Sequence, residues 1–580
     1  MNNQQLAKIF DEIADLLELK EENVFRIRAY RRAALNIDGL PKDMAAMSDA
    51  ELEAIPGIGE DLLRKIHEYL RTGKVAKREE LIKQIPPGVL ELLRIPGLGP
   101  KTAKMLFRER NIQGIDQLEA MTRNGELAGL PGIRKKTEEN IIKGIEQLKR
   151  GNELRPLGRV RPLADDITRQ IQSRAPVDLI EVAGSIRRWK ETVNDIDILT
   201  ASQQPEKVME VFVHLPHVSR VLMQGPTKSS IVTDEGIQVD LRVVEAESFG
   251  AALQYFTGSK QHNIKLREMA VRAGLKISEY GIFQEPGEVK IGGQDEREVY
   301  KALQLPYIPP ELREDAGEIE AAQKGMLPDL ISLTDIKGDL HVHTKWSDGS
   351  HDLDTLVRTA REKGYQYIAI TDHTKGLGVA HGLDEARLAD EIRLIDDANS
   401  KHAGFHILKG TEVDIRSDGN LDLPDGALAG LDIVIASIHS GFQQSQEQLT
   451  KRMLAAIRNP CVSVIAHPTG RVIGERAPYS IDMETVLKEA AKYGVAMEIN
   501  AYPLRLDLSD VHVKLAKEYG VPLVINTDTH VLSQYDYMLY GVSVARRAWA
   551  EKKDVLNTLE YQALINRLKS CTAGKAKLTR

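Results

Sequence analysis

Residues 182–199 read VAGSIRRWKETVNDIDIL. The end of this run is apolar and strand-like, yet it carries Asp195 and Asp197 one residue apart. On a strand, positions i and i+2 point to the same face. A second apolar run, QVDLRV from Gln238 to Val243, offers Asp240. Three carboxylates on neighbouring strands repel one another unless a cation neutralises them, and Mg²⁺ or Mn²⁺ takes carboxylate oxygens. The alternative is that Asp195 and Asp197 merely end a strand. Against it, Gly184, Ser185 and Arg188 lie just upstream and supply backbone N–H, hydroxyl and guanidinium donors suited to phosphate. The stretch predicts an α/β sheet bearing a two-metal site for phosphoryl transfer.

Outward from it, the character of the chain changes twice. Residues 1–150 are helical by periodicity. From about Leu154, runs such as LIEVAGSI, DIDILTA and GIQVDLRVVEA alternate with helices. A polar segment around 316–336 reads as a linker, and strands alternate with helices again after Ile336. At 580 residues, 42% hydrophobic and 28% charged, the chain predicts roughly three to five soluble domains. Cys461 and Cys571 show no pairing pattern, which fits a reducing cytoplasm. The amphipathic N-terminus and the lack of a long apolar run predict neither export nor a membrane span. No coiled coil or apolar stripe is evident, so a monomer is expected.

Net charge is −7, which excludes a uniformly basic DNA-coating protein, but residues 94–150 hold twelve Lys/Arg against seven Asp/Glu. This is a local phosphate-facing balance. The helical region holds a repeat, two copies of which fall in this basic stretch: IPGIGEDLLRKI from Ile55, IPGLGPKTAKML from Ile95 and LPGIRKKTEENI from Leu130. Each is a Gly turn opening a helix, a seat for a DNA phosphate blind to base sequence. It resembles the helix-hairpin-helix motif. On that reading Gly57, Gly59, Gly97, Gly99 and Lys101 meet DNA. The third copy has Arg134 where the others have a second Gly.

Histidine is concentrated at the far end, with eleven of fifteen in residues 337–580. Strand-like runs there finish on His341, His343 and Asp348 (GDLHVHTKWSDGS), His373 (YIAITDH) and Glu412 (ILKGTEVDI). Others finish on His439 (IVIASIHS), His467 (VSVIAHP), Asp528 and His530 (PLVINTDTH). Nine such groups at successive strand ends predict an α/β barrel with a Zn²⁺ or Mn²⁺ site at its C-terminal mouth. The sixth run, VAMEINAY, supplies no evident ligand, so Glu498 and Asn500 are assigned to support the ligands. Arg416, Lys375, Arg471 and Arg505 are candidate phosphate contacts nearby.

The motifs GSIRR…NDIDI and QVDLRV resemble the nucleotidyltransferase palm of the X-family DNA polymerases. YFTGSKQHNIKLR, from Tyr255 to Arg267, resembles that family's thumb. This resemblance covers about residues 1–316. It implies that Asp195, Asp197 and Asp240 are catalytic, and that Gly184, Ser185, Arg188, Tyr255, Phe256, Gly258 and Asn263 bind dNTP. It also implies that Arg267 touches the template. NVFRIRAYRRAA and the first repeat resemble the family's lyase-like domain, with Lys65 at the Schiff-base position and Arg26 and Tyr30 at a 5′-phosphate. Asn194 stands where the family has Gly, and Asp61 where a lysine would hold that phosphate.

The C-terminal region resembles the polymerase-and-histidinol-phosphatase (PHP) domain. The family pattern implies up to three ions: one on His341, His343, Glu412 and Asp528, a second on Glu412, His439 and His467, a third on Asp348, His373 and His530. The resulting expectation is a multidomain α/β chain. A lyase-like domain spans 1–80, helix-hairpin-helix fingers 81–153, a palm 154–246, a thumb 247–316, a linker 317–336 and a distorted (β/α)7 barrel 337–580. Its partners are gapped or primer–template DNA and dNTPs. The function implied is gap filling in base excision repair with Mn²⁺-dependent 3′–5′ exonuclease, and AP endonuclease or 3′-phosphatase activity besides. Two other readings stand beside it: a phosphoesterase barrel with a DNA-binding front half, and a barrel kept as a metal-stabilised scaffold.

Overall fold

The computed structural model describes residues 2–578, apart from 21, 39–43, 54, 56, 86, 94, 96–97, 128 and 150–153. Two compact units, 1–154 and 155–580, divide the chain.

Among the described residues, the regular elements of the first unit are all helices. Helix Asn2–Leu19 buries Leu6, Phe10, Ile13 and Leu17 at helical spacing, against which Tyr30, Ile66 and Leu106 pack. The three repeats fold alike. In each, the residue two before the helix donates its N–H to the carbonyl of the first apolar residue: Ile58 to Ile55, Leu98 to Ile95 and Ile133 to Leu130, at 3.0–3.1 Å. These six residues are buried, which fixes the turn from below. Gly57 and Gly132 hold φ of +90° and +80°, where a Cβ is strained.

The second unit opens on a five-stranded sheet in the order Leu179–Val182, Asp195–Ala201, Gln238–Val244, Lys228–Thr233, Val218–Gln224. The two aspartate strands run parallel. Ile196 and Ile198 pack on the core formed with helices Leu157–Arg174 and Pro205–Val213. Leu199 and Ala201, on the face of Asp195 and Asp197, are covered by Phe249, Ala252 and Leu253 of helix Phe249–Thr257. That helix stops short of the aspartates and leaves them in a cleft.

Helices Phe249–Thr257, Lys260–Arg272 and Glu296–Ala302, with an antiparallel sheet of Leu275–Ser278, Gly281–Gln284 and Val289–Gly292, form the next layer. It is tied to the palm by Glu296, which accepts from Arg187 at 2.7–2.8 Å and from the fully buried Arg313 at 2.6 Å. Burial pushes the Glu296 carboxyl up, but the two guanidiniums outweigh it and hold it at about 2. The 317–336 segment, expected as a linker, carries helix Glu318–Gln323 with Ile319 and Ala322 packed inward. Its polar residues mask that apolar pair in the sequence.

From Gly338 on, seven parallel strands lie in sequence order: Gly338–Val342, Tyr367–Ile370, His406–Asp414, Ile433–Ser437, Val464–Ile465, Ala496–Asn500, Leu523–Asn526. The ends approach closure: Val342 bridges Thr529, and the His343 N–H donates to the Thr529 carbonyl at 2.9 Å. Both faces of these strands are buried, as parallel strands under helices require.

The palm is seated directly on the barrel. A Cβ on Gly158 would fall 2.1 Å from Pro503 Cβ, so only glycine allows that approach. Trp189 meets Tyr540 edge-on at 5.5 Å, and Arg471 pairs with Glu191 at 2.7 Å.

Candidate active sites: a carboxylate triad and a histidine ring

In the palm cleft, the strand register sets Asp197 directly beside Asp240, with Asp195 one pleat along. Burial, then Asp195 and Asp240, push the Asp197 carboxyl up to about 7. Asp195 is raised by burial and by Asp240. This crowding is what a divalent cation would relieve, so the donor set fits a metal. Gly184 adopts φ +60°, and a Cβ there would lie 2.4 Å from Asp197 Oδ2. The glycine is dictated by the carboxylate beneath it. Gln238 Nε2 donates to Asp240 Oδ1 at 2.9 Å, and Lys228 Nζ lies 3.6 Å from Oδ2. Sequence reading missed both residues; Gln238 sits at i−2, the same-face position that revealed the aspartate pair.

Around the triad, Arg188 donates from Nε to Glu314 at 3.0 Å and from Nη1 to the Thr257 carbonyl at 2.8 Å. Tyr255 and Phe256 meet edge-on at 5.1 Å, with the Arg242 guanidinium 4.5 Å over Phe256 and Arg267 6.0 Å over Tyr255. Asn263 differs from expectation. Its Nδ2 donates to the Tyr255 and Gly258 carbonyls at 2.6 and 3.1 Å, and its Oδ1 accepts from Gln254. The amide therefore locks the Tyr255–Gly258 turn, and touching a base requires it to turn out.

At the barrel mouth, eight of the nine expected ligands lie on a strand or within four residues of its end, and Asp348 reaches in from the first loop. Glu412, fully buried, is the hub. Its oxygens lie 2.8 Å from His373 Nδ1, 2.9 Å from His467 Nε2, 3.3 Å from His341 and His439 Nε2 and 3.6 Å from His343 Nε2. Burial pushes Glu412 up, but the imidazoles outweigh it and hold it well below the carboxylate range. His343 is driven down to about 4 by burial and by His530 and His373.

Ligand atoms converge as His341–His343–Asp528, as His373–Glu412–His439 and as His343–Asp348–His373–His530. His341 Nε2, His343 Nε2 and His373 Nδ1 crowd Glu412 Oε2 at 2.8–3.6 Å, and these four atoms and His343 Nδ1 are buried without forming an aligned hydrogen bond. Buried polar atoms normally have one, so these orphans fit a metal cluster. His467 and Asp528 hold positive φ, +27° and +57°, the kind of strain that collects at functional sites.

Supporting groups fix the ring orientations. Glu498 accepts from His341 Nδ1 at 2.8 Å and from the His467 N–H at 2.8 Å, and Asn500 Nδ2 lies 3.1 Å from Asp528. Sequence reading missed Asp372, which accepts from Thr344 and Ser347, and Asp414, 3.4 Å from His439 Nδ1. Asp414 is two residues past Glu412 on the same strand face. Of the four basic candidates, Arg505 comes nearest, 3.9 Å from Asp528. Arg471 instead donates to the Arg505 carbonyl and to Glu191, Lys375 pairs with Glu385, and Arg416 donates to the Asp422 carbonyl.

In the first unit, Lys65 Nζ is occupied by Asp61, 2.5 Å away, and lies 5.8 Å over the Tyr30 ring. Arg26 is exposed beside Glu22. Tyr30, expected at a 5′-phosphate, is 2% exposed and packs edge-on against Phe10, because the helix face that carries it is the core face. Gly59 and Gly99 cap helices Glu60–Thr72 and Pro100–Arg110. The first of these helices opens on Glu60 and Asp61, which oppose a phosphate. Gly97 and the Lys101 side chain lie outside the described residues.

Comparison with known proteins agrees with this geometry. Residues 1–75 match the helix-hairpin-helix domain, 89–147 the SAM-like helix-hairpin-helix tandem, 252–314 the DNA polymerase beta thumb and 339–501 the PHP domain. The DNA polymerase/3′-5′ exonuclease PolX of Bacillus subtilis (strain 168) is 40% identical over 560 residues, covering 96% of this chain and 97% of that protein. A probable phosphatase of Thermoanaerobacter sp. (strain X514) is 37% identical over 234 residues, 38% of this chain and 89% of its own length. No helix among the described residues is long and apolar enough to cross a membrane. With a carboxylate triad in the palm and a histidine ring in the barrel, the chain belongs to the X-family DNA polymerases that carry a PHP domain.

Proposed function

We propose that this polymerase fills short gaps in DNA during base excision repair and that its barrel trims 3′ ends. The carrying observation is the pairing of two complete, differently built centres in one chain. In the palm, Asp195 and Asp197 would hold Mg²⁺ or Mn²⁺, while Asp240 would help hold one ion and help activate the primer hydroxyl. Bound ions lower the pKa of a hydroxyl or water and neutralise phosphate charge. Gly184, Ser185 and Arg188 receive the triphosphate, and Tyr255, Phe256 and Gly258 shape the sugar pocket. Asn263 reaches the base after leaving its inward bonds, and Arg267 meets the template strand. In the barrel, the nine ligands hold up to three Mn²⁺ or Zn²⁺ ions in the grouping that the PHP pattern implies.

The second and third hairpins are the better DNA phosphate seats, since Lys101, Lys135 and Lys136 stand where the first has Glu60 and Asp61. The domain division is 1–80, 81–153, 154–246, 247–316 and 337–580, and the chain acts as a monomer in the cytoplasm. A primed one-nucleotide gap with dNTPs and Mg²⁺ or Mn²⁺ tests the polymerase assignment. Extension is expected, and extension that survives Asp195→Ala removes it.

The barrel's likeness to probable phosphatases favours a second use, on 3′-phosphates or abasic sites. Comparing wild type and His341→Ala on histidinol phosphate and on 3′-recessed DNA separates the readings. DNA as the preferred substrate supports ours, whereas hydrolysis of the small ester alone favours a phosphatase. Lys65 is read as a DNA-facing lysine tied to Asp61, since Schiff-base attack needs an unencumbered amine. Borohydride should trap little protein on 5′-deoxyribose-phosphate DNA, and strong trapping lost in Lys65→Ala restores the lyase.

A further inference from the structure

The barrel reaches into the palm at one buried charge. Arg547 ends helix Met538–Arg547 of the barrel, and its Nη1 donates to the backbone carbonyl of Arg188 at 2.7 Å and to Glu314 Oε1 at 3.1 Å. Its Nε is anchored on Asp510 at 2.8 Å. The same Glu314 oxygen accepts from Arg188 Nε at 3.0 Å, and Arg188 Nη1 is held by the Thr257 carbonyl. Nη2 of Arg188 takes no part in these bonds, and the Arg188 charge acts on Asp197. The three side chains are at most 20% exposed, so solvent does little to screen them.

We propose that Arg547 is a positioning residue for nucleotide incorporation: by sharing Glu314 and gripping the Arg188 carbonyl, it keeps the Arg188 guanidinium available to the incoming triphosphate. The inference rests on the reading of Arg188 as a triphosphate contact. The charge count gives the reason. Two carboxylates, Glu314 and Asp510, balance the two guanidiniums, so the four side chains sum to zero and Glu314 is shared rather than spent on Arg188. Without Arg547 the full charge of Glu314 falls on Arg188, the cluster becomes net negative and so repels phosphate, and the carbonyl that sets the Arg188 backbone loses its donor. The barrel thus contributes to polymerisation without touching DNA or nucleotide.

Single-turnover incorporation into a one-nucleotide gap, as a function of dNTP concentration, tests this. Arg547→Gln should raise the dNTP Kd roughly tenfold, the scale of one charge-assisted hydrogen bond, with the maximal rate within about threefold. The double variant Glu314→Gln/Arg547→Gln should recover most of that loss, because Glu314 no longer draws Arg188 aside and the remaining charges, Arg188 and Asp510, again sum to zero. A residue that only stabilises the seam would lower the rate or the melting temperature and show no such rescue. An unchanged Kd in Arg547→Gln, or a double variant as weak as the single, overturns the inference. If Arg547→Gln does not fold, Arg547→Lys serves: it keeps the charge without the fork, so an intermediate rise in Kd is expected and an unchanged Kd overturns. Arg188→Gln is run alongside. If it leaves Kd unchanged, the reading of Arg188 falls and this inference with it; if it raises Kd and Arg547→Gln does not, only this inference falls.

Discussion

Asp197→Asn will reduce nucleotide incorporation at least about 10³-fold and, at the same time, raise the melting temperature of the metal-free protein. The activity loss follows from position. Asp197 is the inner member of the triad, beside Asp240 in register and two residues from Asp195, so removing its charge weakens the hold on both ions. Roughly three orders of magnitude correspond to about 4 kcal/mol of transition-state stabilisation, within what such ions supply. The stability gain follows from the same crowding. With no cation, burial and two like charges oppose ionisation of Asp197. A neutral isostere removes that repulsion and offers Asp240 a donor, at about 2–4 °C for each kcal/mol relieved in a domain of this size. Incorporation within tenfold of wild type, or a lower melting temperature in EDTA, would contradict the argument.

The barrel should answer the same kind of substitution with the opposite sign. Glu412→Gln is expected to lower 3′-end degradation at least about 10³-fold, to lower bound metal, and to destabilise the metal-free protein. Here the carboxylate is surrounded by imidazoles: His341 is raised well above its usual range, with burial opposing and Glu498, Asp528 and Glu412 prevailing. Acid and base neutralise one another in advance of any ion. Removing one partner of a buried charge pair leaves the other uncompensated, typically about 3–5 kcal/mol. Metal content by elemental analysis, degradation of 3′-recessed DNA and melting in EDTA read the three effects. Full metal content with full nuclease activity would show that Glu412 is not the hub.

Both centres were legible because their residues obey a local period. Asp195 and Asp197, His341 and His343, and Asp528 and His530 are all i, i+2 pairs. Strand geometry aims the first pair at one side, whereas Asp528 and His530 lie past the strand that ends at Asn526 and are turned in by the left-handed backbone at Asp528. The hairpins were legible because a Gly turn recurs. What escaped is what depends on distant partners. Glu314 and Arg547 are separated by more than two hundred positions, and nothing near either one signals the other. Tyr30 reads as a surface aromatic until Phe10 is seen against it. Asn263 sits in a motif that implies contact with a base, yet the carbonyls of its own turn claim its amide. Asp372 precedes His373 directly, which on a strand would point it away, but the chain leaves strand geometry at Ile370 and swings it behind His343.

The glycine at 158, pressed on Pro503, has a consequence for how one enzyme can both lengthen and shorten the same strand. With that seam closed at van der Waals distance, palm and barrel hold their two centres at a fixed separation in this arrangement. The strand itself must be the courier. Each base-pair step that opens to free its end costs roughly 1.4 kcal/mol. Correctly paired termini therefore stay where they are extended, and a mismatched end, already half unzipped, is the one that strays to be cut.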